Sequence, residues 1–257
     1  MSATAVAGTR RVERHMGTAV SLHAHEAPDD AVDAFFDEIR HLESKLTRFR
    51  DDSEVMRLER GELALDDASA QAREIIVRCE FLRTMTDGAF DHYPIVDGRR
   101  CLDPNAFAKG WIIEQALLHL QFAGVSQYFV NAGGDVVAGA GPTGQASWRV
   151  GITHPEDPAA TFATVDLDHA AIATSGRYER GDHIRGVASR GGHDELTSVS
   201  VVGPELATAD ALATAVLAGG EPRPAWWPSE CPYGIIALRA SGRVAFTENL
   251  AHSVRFG

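Results

Sequence analysis

Thr197-Ser-Val-Ser-Val-Val-Gly-Pro-Glu-Leu-Ala-Thr-Ala-Asp-Ala-Leu-Ala-Thr-Ala215 is the stretch that sets the fold. Its β-branched first third favours extended chain, and Gly203-Pro204 makes a turn. From 207 to 218 every residue except Asp210 is small or apolar, which predicts a short helix packed on a sheet. Asp210 and Thr214 are four apart, so a carboxylate and a hydroxyl share one helical face. Such a hard-oxygen pair suits Mg²⁺, with water and phosphate oxygens completing an octahedron. The same spacing also suits a capping or solvated aspartate and a threonine bonded back to its own helix.

Upstream, 16–25 alternates Val20, Leu22 and Ala24 with polar neighbours and reads as a half-buried strand, with His23 and His25 on its solvent side. Pro28-Asp-Asp30 opens a helix on which Val32, Phe35, Phe36, Ile39, Leu42, Leu46 and Phe49 recur at the helical period. Ser53-Glu-Val-Met-Arg-Leu58 reads as a short helical turn. Ser69 caps a further helix with Ala72, Ile75, Ile76, Cys79, Leu82 and Met85 inward, stopped by Asp87-Gly88. Gly88-Ala-Phe-Asp-His-Tyr-Pro94 breaks the period and puts an aromatic and a carboxylate on a loop. In Leu102-Asp-Pro-Asn-Ala-Phe-Ala-Lys-Gly-Trp111, Lys109 stands where a loop is expected to give way to a helix, a place that suits a phosphate or a solvated lysine.

Further strands are expected at 128–132, 134–137, 148–152, 163–167, 170–174, 234–239 and 243–246. Gly133-Gly134 fits neither GxGxxG nor GxxxxGK[ST], so neither a Rossmann nor a P-loop reading applies. Residues 180–195 are polar and glycine-rich, a loop carrying His183 and His193. Trp226-Trp227 lies in a proline-rich connection, as a ligand platform or as a plug for the core edge. Strands do not alternate strictly with helices, so the expected class is α+β: mixed or antiparallel sheets flanked by amphipathic helices in one domain over 1–257, with a flexible segment at 1–10.

The net charge of −12 and the lack of a basic run disfavour a nucleic-acid or anionic-membrane surface. An acidic protein still takes a phosphate ligand where a metal or backbone N–H groups supply positive field. Three dispersed cysteines without CxxC fit free thiols in a reducing compartment, and no apolar run reaches membrane-spanning length. A cytoplasmic location is expected.

The unusual pieces also fall in a characteristic order. Met16-Gly-Thr18, Ser53-Glu-x-x-Arg-Leu58, Gly88-Ala-Phe-Asp91, Asp103-x-x-Ala-x-Ala-Lys-Gly110, Asn131-Ala-Gly-Gly-Asp135, Ile172-Ala-Thr-Ser-Gly-x-Tyr-Glu179 and Ala209-Asp-Ala-Leu-Ala-Thr-Ala215 together resemble the ApbE family of FAD:protein FMN transferases over nearly the whole chain. The resemblance implies an enzyme that binds FAD with Mg²⁺ in a cleft, esterifies the FMN phosphate to a threonine or serine of an acceptor protein, and releases AMP. Carried over, the metal ligands are the Asp210 and Thr214 side chains and the Ala106 carbonyl. The FAD contacts are Met16, Phe49, Ala89, Phe90, Asp91, Asp103, Lys109 and Ile184, with the ring of Phe49 or Phe90 as the stacking partner. His183 in Asp182-His-Ile-Arg-Gly186 matches the family's base, although the Asp-Pro-x-Thr-Gly that usually follows is missing and His193 is a second candidate. The alternative on the same scaffold is a flavin-binding protein without transfer, or an FAD pyrophosphatase.

Overall fold

Neighbouring residues on the central strands face two different cores in turn. The computed structural model describes residues 8–176 and 194–256. Its main sheet is antiparallel and eight-stranded, in the order β1 (Thr9–His15), β2 (Thr18–Ala24), β5 (Tyr128–Ala132), β6 (Asp135–Ala138), β9 (Ala170–Gly176), β10 (Leu196–Gly203), β11 (Gly234–Arg239) and β12 (Val244–Phe246). A second sheet orders β13 (Val254–Phe256), β8 (Asp157–Leu167) and β7 (Trp148–His154), and β3 (Ile95–Val96) pairs with β4 (Arg99–Arg100). The helices are α1 (Asp29–Leu46), α2 (Glu54–Glu59), α3 (Ala70–Met85), α4 (Asn105–Phe122) and α5 (Leu206–Gly219).

Val137, Ala171, Ala173, Val199, Val201, Ile235 and Ala237 join the helical core with Phe35, Phe36, Ile113 and Val216. Their neighbours Val136, Ala138, Ile172, Val202 and Ile236 join a second core with Val150, Val165, Leu167 and Leu250 beneath the smaller sheet. Because side chains alternate across a strand, a sheet covered on both faces must be apolar at successive positions. That explains why Val201 and Val202 of β10 are both buried, within a strand buried without a break from Ser198 to Gly203, and the α+β expectation holds. Among the described residues no helix is long and apolar enough to cross a membrane.

Several expectations need correcting. Thr9 and Arg10, expected in a flexible segment, pair with Ala24 and His23 in β1. This edge strand carries charges on most positions, and its one valine, Val12, is 65% exposed, so it lacks an apolar face to read. α1 ends at Leu46 and Thr47 turns extended, which removes Phe49 from the helical stripe and leaves it 85% exposed. His23 is half-buried, edge-on to Trp148 at 5.6 Å, because β7 approaches that face. The fourth helix begins at Asn105 behind Pro104, so Lys109 stands in its second turn rather than at a loop junction.

Candidate active site

The site is built where α4 meets α5. A Cβ on Gly110 would lie 2.5 Å from the Ala207 nitrogen and 2.6 Å from its Cα, so only glycine permits this backbone approach. One turn further on α4, Glu114 accepts the backbone N–H of Leu206 and, at 3.2 Å, that of Ala207. It thereby serves two orphan donors of α5, whose N-cap residue Glu205 provides no side-chain cap. Burial pushes the Glu114 carboxyl from an ordinary 4.5 to about 7, against the opposing pull of those two N–H groups. Since the folded pKa lies above the unfolded one, protonated Glu114 favours the fold. Its contribution is whole below about pH 4.5 and lost by the time the pH has passed about 7. Between those limits wild type is expected to lose about 3 kcal/mol relative to Glu114→Gln, measured by urea unfolding across the pH range. A constant difference between the two proteins contradicts this.

The Gly110 contact brings Lys109 to α5. Its ammonium is ion-paired with Asp135 at the start of β6 and lies 3.5 Å from Asp210 Oδ2. Both carboxylates are buried, Asp135 at 3% and Asp210 at 2% exposure. Asp135 Oδ1 also accepts the Thr174 N–H at 3.0 Å. Thr214 Oγ1 is 3.2 Å from Ser175 Oγ, and Thr174 Oγ1 is 2.8 Å from Ser200 Oγ. Lys109, Thr174 and Thr214 are partly exposed, so the cluster reaches solvent on that side.

Two buried carboxylates around one ammonium, with hydroxyls beside them, form a hard-oxygen set that fits a divalent cation of the Mg²⁺ type. Among the described residues no group of three or more His, Cys, Asp or Glu side chains is placed to hold a metal, so such a cation relies on hydroxyl, carbonyl and ligand oxygens as well. Of the expected residues, Lys109, Asp210 and Thr214 are thus brought together. Ala106 stands one helical turn before Gly110 on the same helix as Lys109, partly buried against the core. Asp135 was given no role by sequence reasoning. Its signal was its place after Gly133-Gly134, whose φ of 67° and 102° make the tight turn that starts β6 on a carboxylate.

The expected flavin residues are held on a second group of turns. Met16 has a φ of 51°, unusual for a side-chain-bearing residue, and its N–H donates to Glu43 Oε1 at 2.7 Å. Asp91 accepts the Tyr93 N–H at 2.9 Å and lies 3.4 Å from both Arg83 and Arg100. Ala89 is half-buried beside it. Asp103 donates its N–H to the His92 carbonyl at 2.7 Å and faces Arg48 at 3.2 Å. Phe90, one of the two rings named for stacking, is 2% exposed and itself stacked on His92 within the core. Exposed Phe49, next to Arg48, is the aromatic ring of the two that is presented to solvent. His92 is fully buried, among the described residues neither ring nitrogen has a hydrogen-bond partner, Glu80 lies 3.8 Å from its Nε2, and burial lowers its pKa. His183, Ile184 and His193 lie outside the described residues.

A cleft of about 590 Å³ opens elsewhere, between α3, α5 and the proline-rich connection, lined by Phe81, Leu212, Trp227 and Tyr233. It lies along the face of α5 that carries Thr208 and Leu212, about 200° around the helix from Asp210. Its apolar lining offers little to a pyrophosphate, so the polar cluster is the better candidate. Trp227 is 8% exposed and plugs the core edge rather than standing free as a platform.

The sequence profile of the ApbE family matches residues 16–94 and 96–233. A protein of Vibrio cholerae named FAD:protein FMN transferase is 31% identical over 133 residues, 48% of this chain and 40% of that protein. One of the same name from Rhodobacter capsulatus is 34% identical over 128 residues, 47% of this chain and 24% of that protein. The matches therefore span less than half the length of these relatives. The solved flavin transferase ApbE of Vibrio cholerae superposes with a TM-score of 0.80 at 19% identity, covering 96% of this chain and 99% of that one. The ApbE protein of Thermotoga maritima gives 0.77 at 19% identity, covering 97% and 100%. By profile the chain belongs to the ApbE family, and by superposition it has the fold of its solved structures.

Proposed function

We propose that this chain is a Mg²⁺-dependent FAD:protein FMN transferase that links FMN by a phosphoester to a threonine or serine of an acceptor protein and releases AMP. The observation that carries the reading is the convergence of Lys109, Asp210 and Thr214 from two helices into one polar cluster, with Asp210 buried and the other two partly exposed. The names of the similar curated proteins support it from outside the structure.

In this reaction the acceptor oxygen forms a bond to the FMN phosphorus, the bond from that phosphorus to the bridging oxygen breaks, and AMP departs with the electron pair. The hydroxyl proton passes to a base, the role given to His183. Asp210, Thr214 and the Ala106 carbonyl are the residues that would hold the cation, which when bound screens the pyrophosphate charge and polarises phosphorus. Lys109 adds a positive charge at the same oxygens, within the same cluster. Asp103, Asp91, Ala89, Met16 and Ile184 would seat the dinucleotide, with the exposed Phe49 ring against its flat system. The reading places the protein in the cytoplasm, supported by its three free cysteines.

The test is to incubate the protein with FAD and Mg²⁺ and to follow AMP by chromatography with and without threonine-bearing acceptor proteins. Acceptor-dependent AMP release with flavin retained on the acceptor supports transfer. Equal release without acceptor points to FAD hydrolysis, and FAD left intact in both arms points to a flavin-binding protein without transfer.

A further inference from the structure

We infer that Asp135 is a positioning residue of this site: it takes the closer share of the Lys109 ammonium and so keeps that lysine from neutralising Asp210. The inference rests on the reading of Asp210 and Thr214 as ligands of a divalent cation.

Asp135 is held in place independently of Lys109. It is 3% exposed, its strand is paired on both sides, and its Oδ1 accepts the Thr174 N–H at 3.0 Å. That hydrogen bond commits one carboxylate oxygen to β9 and leaves Oδ2 to face Lys109. The lysine lies in direct contact with this oxygen but 3.5 Å from Asp210 Oδ2, at the outer edge of a hydrogen bond. An ammonium is a compact charge on a flexible stem, and its attraction to a carboxylate grows as the distance shrinks. Without Asp135, Lys109 has one carboxylate of this pair left and closes on Asp210, cancelling the charge that a cation requires. With Asp135 present, the pair and the lysine sum to one negative charge among the described residues. The same carboxylate fixes the Thr174 backbone, and the next residue, Ser175, carries the hydroxyl 3.2 Å from Thr214. One buried side chain thus sets both the lysine and the strand beside the second oxygen ligand.

The experiment titrates Mg²⁺ alone into wild type, Asp135→Asn, Lys109→Met, the double variant and Asp210→Ala, by calorimetry and by the Mg²⁺-dependent shift of the thermal midpoint. Asp135→Asn is expected to weaken Mg²⁺ binding about tenfold or more although no proposed cation ligand changes. Lys109→Met is expected to bind at least as tightly as wild type, and the double variant to recover most of the affinity lost in Asp135→Asn. Wild-type affinity in Asp135→Asn, or no recovery in the double variant, overturns the inference. If Asp135→Asn does not fold, Lys109→Met decides alone: affinity at or above wild type supports the competition, and a fall overturns it. Unsaturable binding to wild type, or unchanged binding to Asp210→Ala, instead defeats the underlying cation reading and the inference with it.

Discussion

Asp210→Ala is expected to lower AMP release from FAD by about a thousandfold, equivalent to about 4 kcal/mol of transition-state stabilisation. Asp210 is the carboxylate that α5 contributes to the cluster, and at 2% exposure it has little bulk water around it to take over its role. Alanine keeps the helix, having the best intrinsic propensity, and Lys109 keeps its ion pair with Asp135. The variant is therefore expected to fold, which circular dichroism checks. The rate is read as AMP released with FAD, Mg²⁺ and acceptor. Chelating the cation from wild type should produce a loss of similar size, and chelation should add little to the loss already present in Asp210→Ala. An unchanged rate in the variant refutes the assignment of this cluster.

Gly110→Ala is expected to be the most damaging conservative change in the helical layer, costing about 3 kcal/mol of stability. Two effects oppose each other. Glycine to alanine in a helix interior ordinarily gains up to about 1 kcal/mol from propensity. Here the added methyl would meet the Ala207 nitrogen at 2.5 Å and the Leu206 carbonyl carbon at 2.8 Å, backbone atoms with no rotamer to turn aside. Steric conflict wins, and α5 must move away from α4. The thermal midpoint should fall by roughly 6–12 °C for a chain of this size. Activity should fall as well, because separating the helices draws Asp210 away from Lys109. A midpoint that stays level or rises means that propensity outweighs the contact and that the two helices are not locked at this glycine.

Elements with one apolar face were legible in the chain. On α1, Val32, Phe35, Phe36, Ile39, Leu42 and Leu46 recur at the helical period and are all buried. On α3, the Ser69 cap and the Asp87-Gly88 stop hold, with Ser69 accepting the Ala72 N–H at 3.2 Å and left-handed φ values of 51° and 78° at the end. β1 was not legible, since its charged residues give an edge strand no period to detect. Phe49 was misread because its spacing continues the α1 stripe after the chain has already turned at Thr47. A ring on a loop says nothing of which way it faces, and that of Phe90 lies against the core.

By itself the sequence determined the helix that carries Asp210 and Thr214, the glycine beside Lys109 and the order of motifs that marks the family, because local propensity and fixed spacing act between near neighbours. Only the tertiary structure decided that Asp135 grips Lys109 across 26 positions and that Glu114 serves the start of α5 across 92. Those partners are chosen by strand order and by one close helix crossing, and a buried charge is matched to whatever counter-charge that packing delivers.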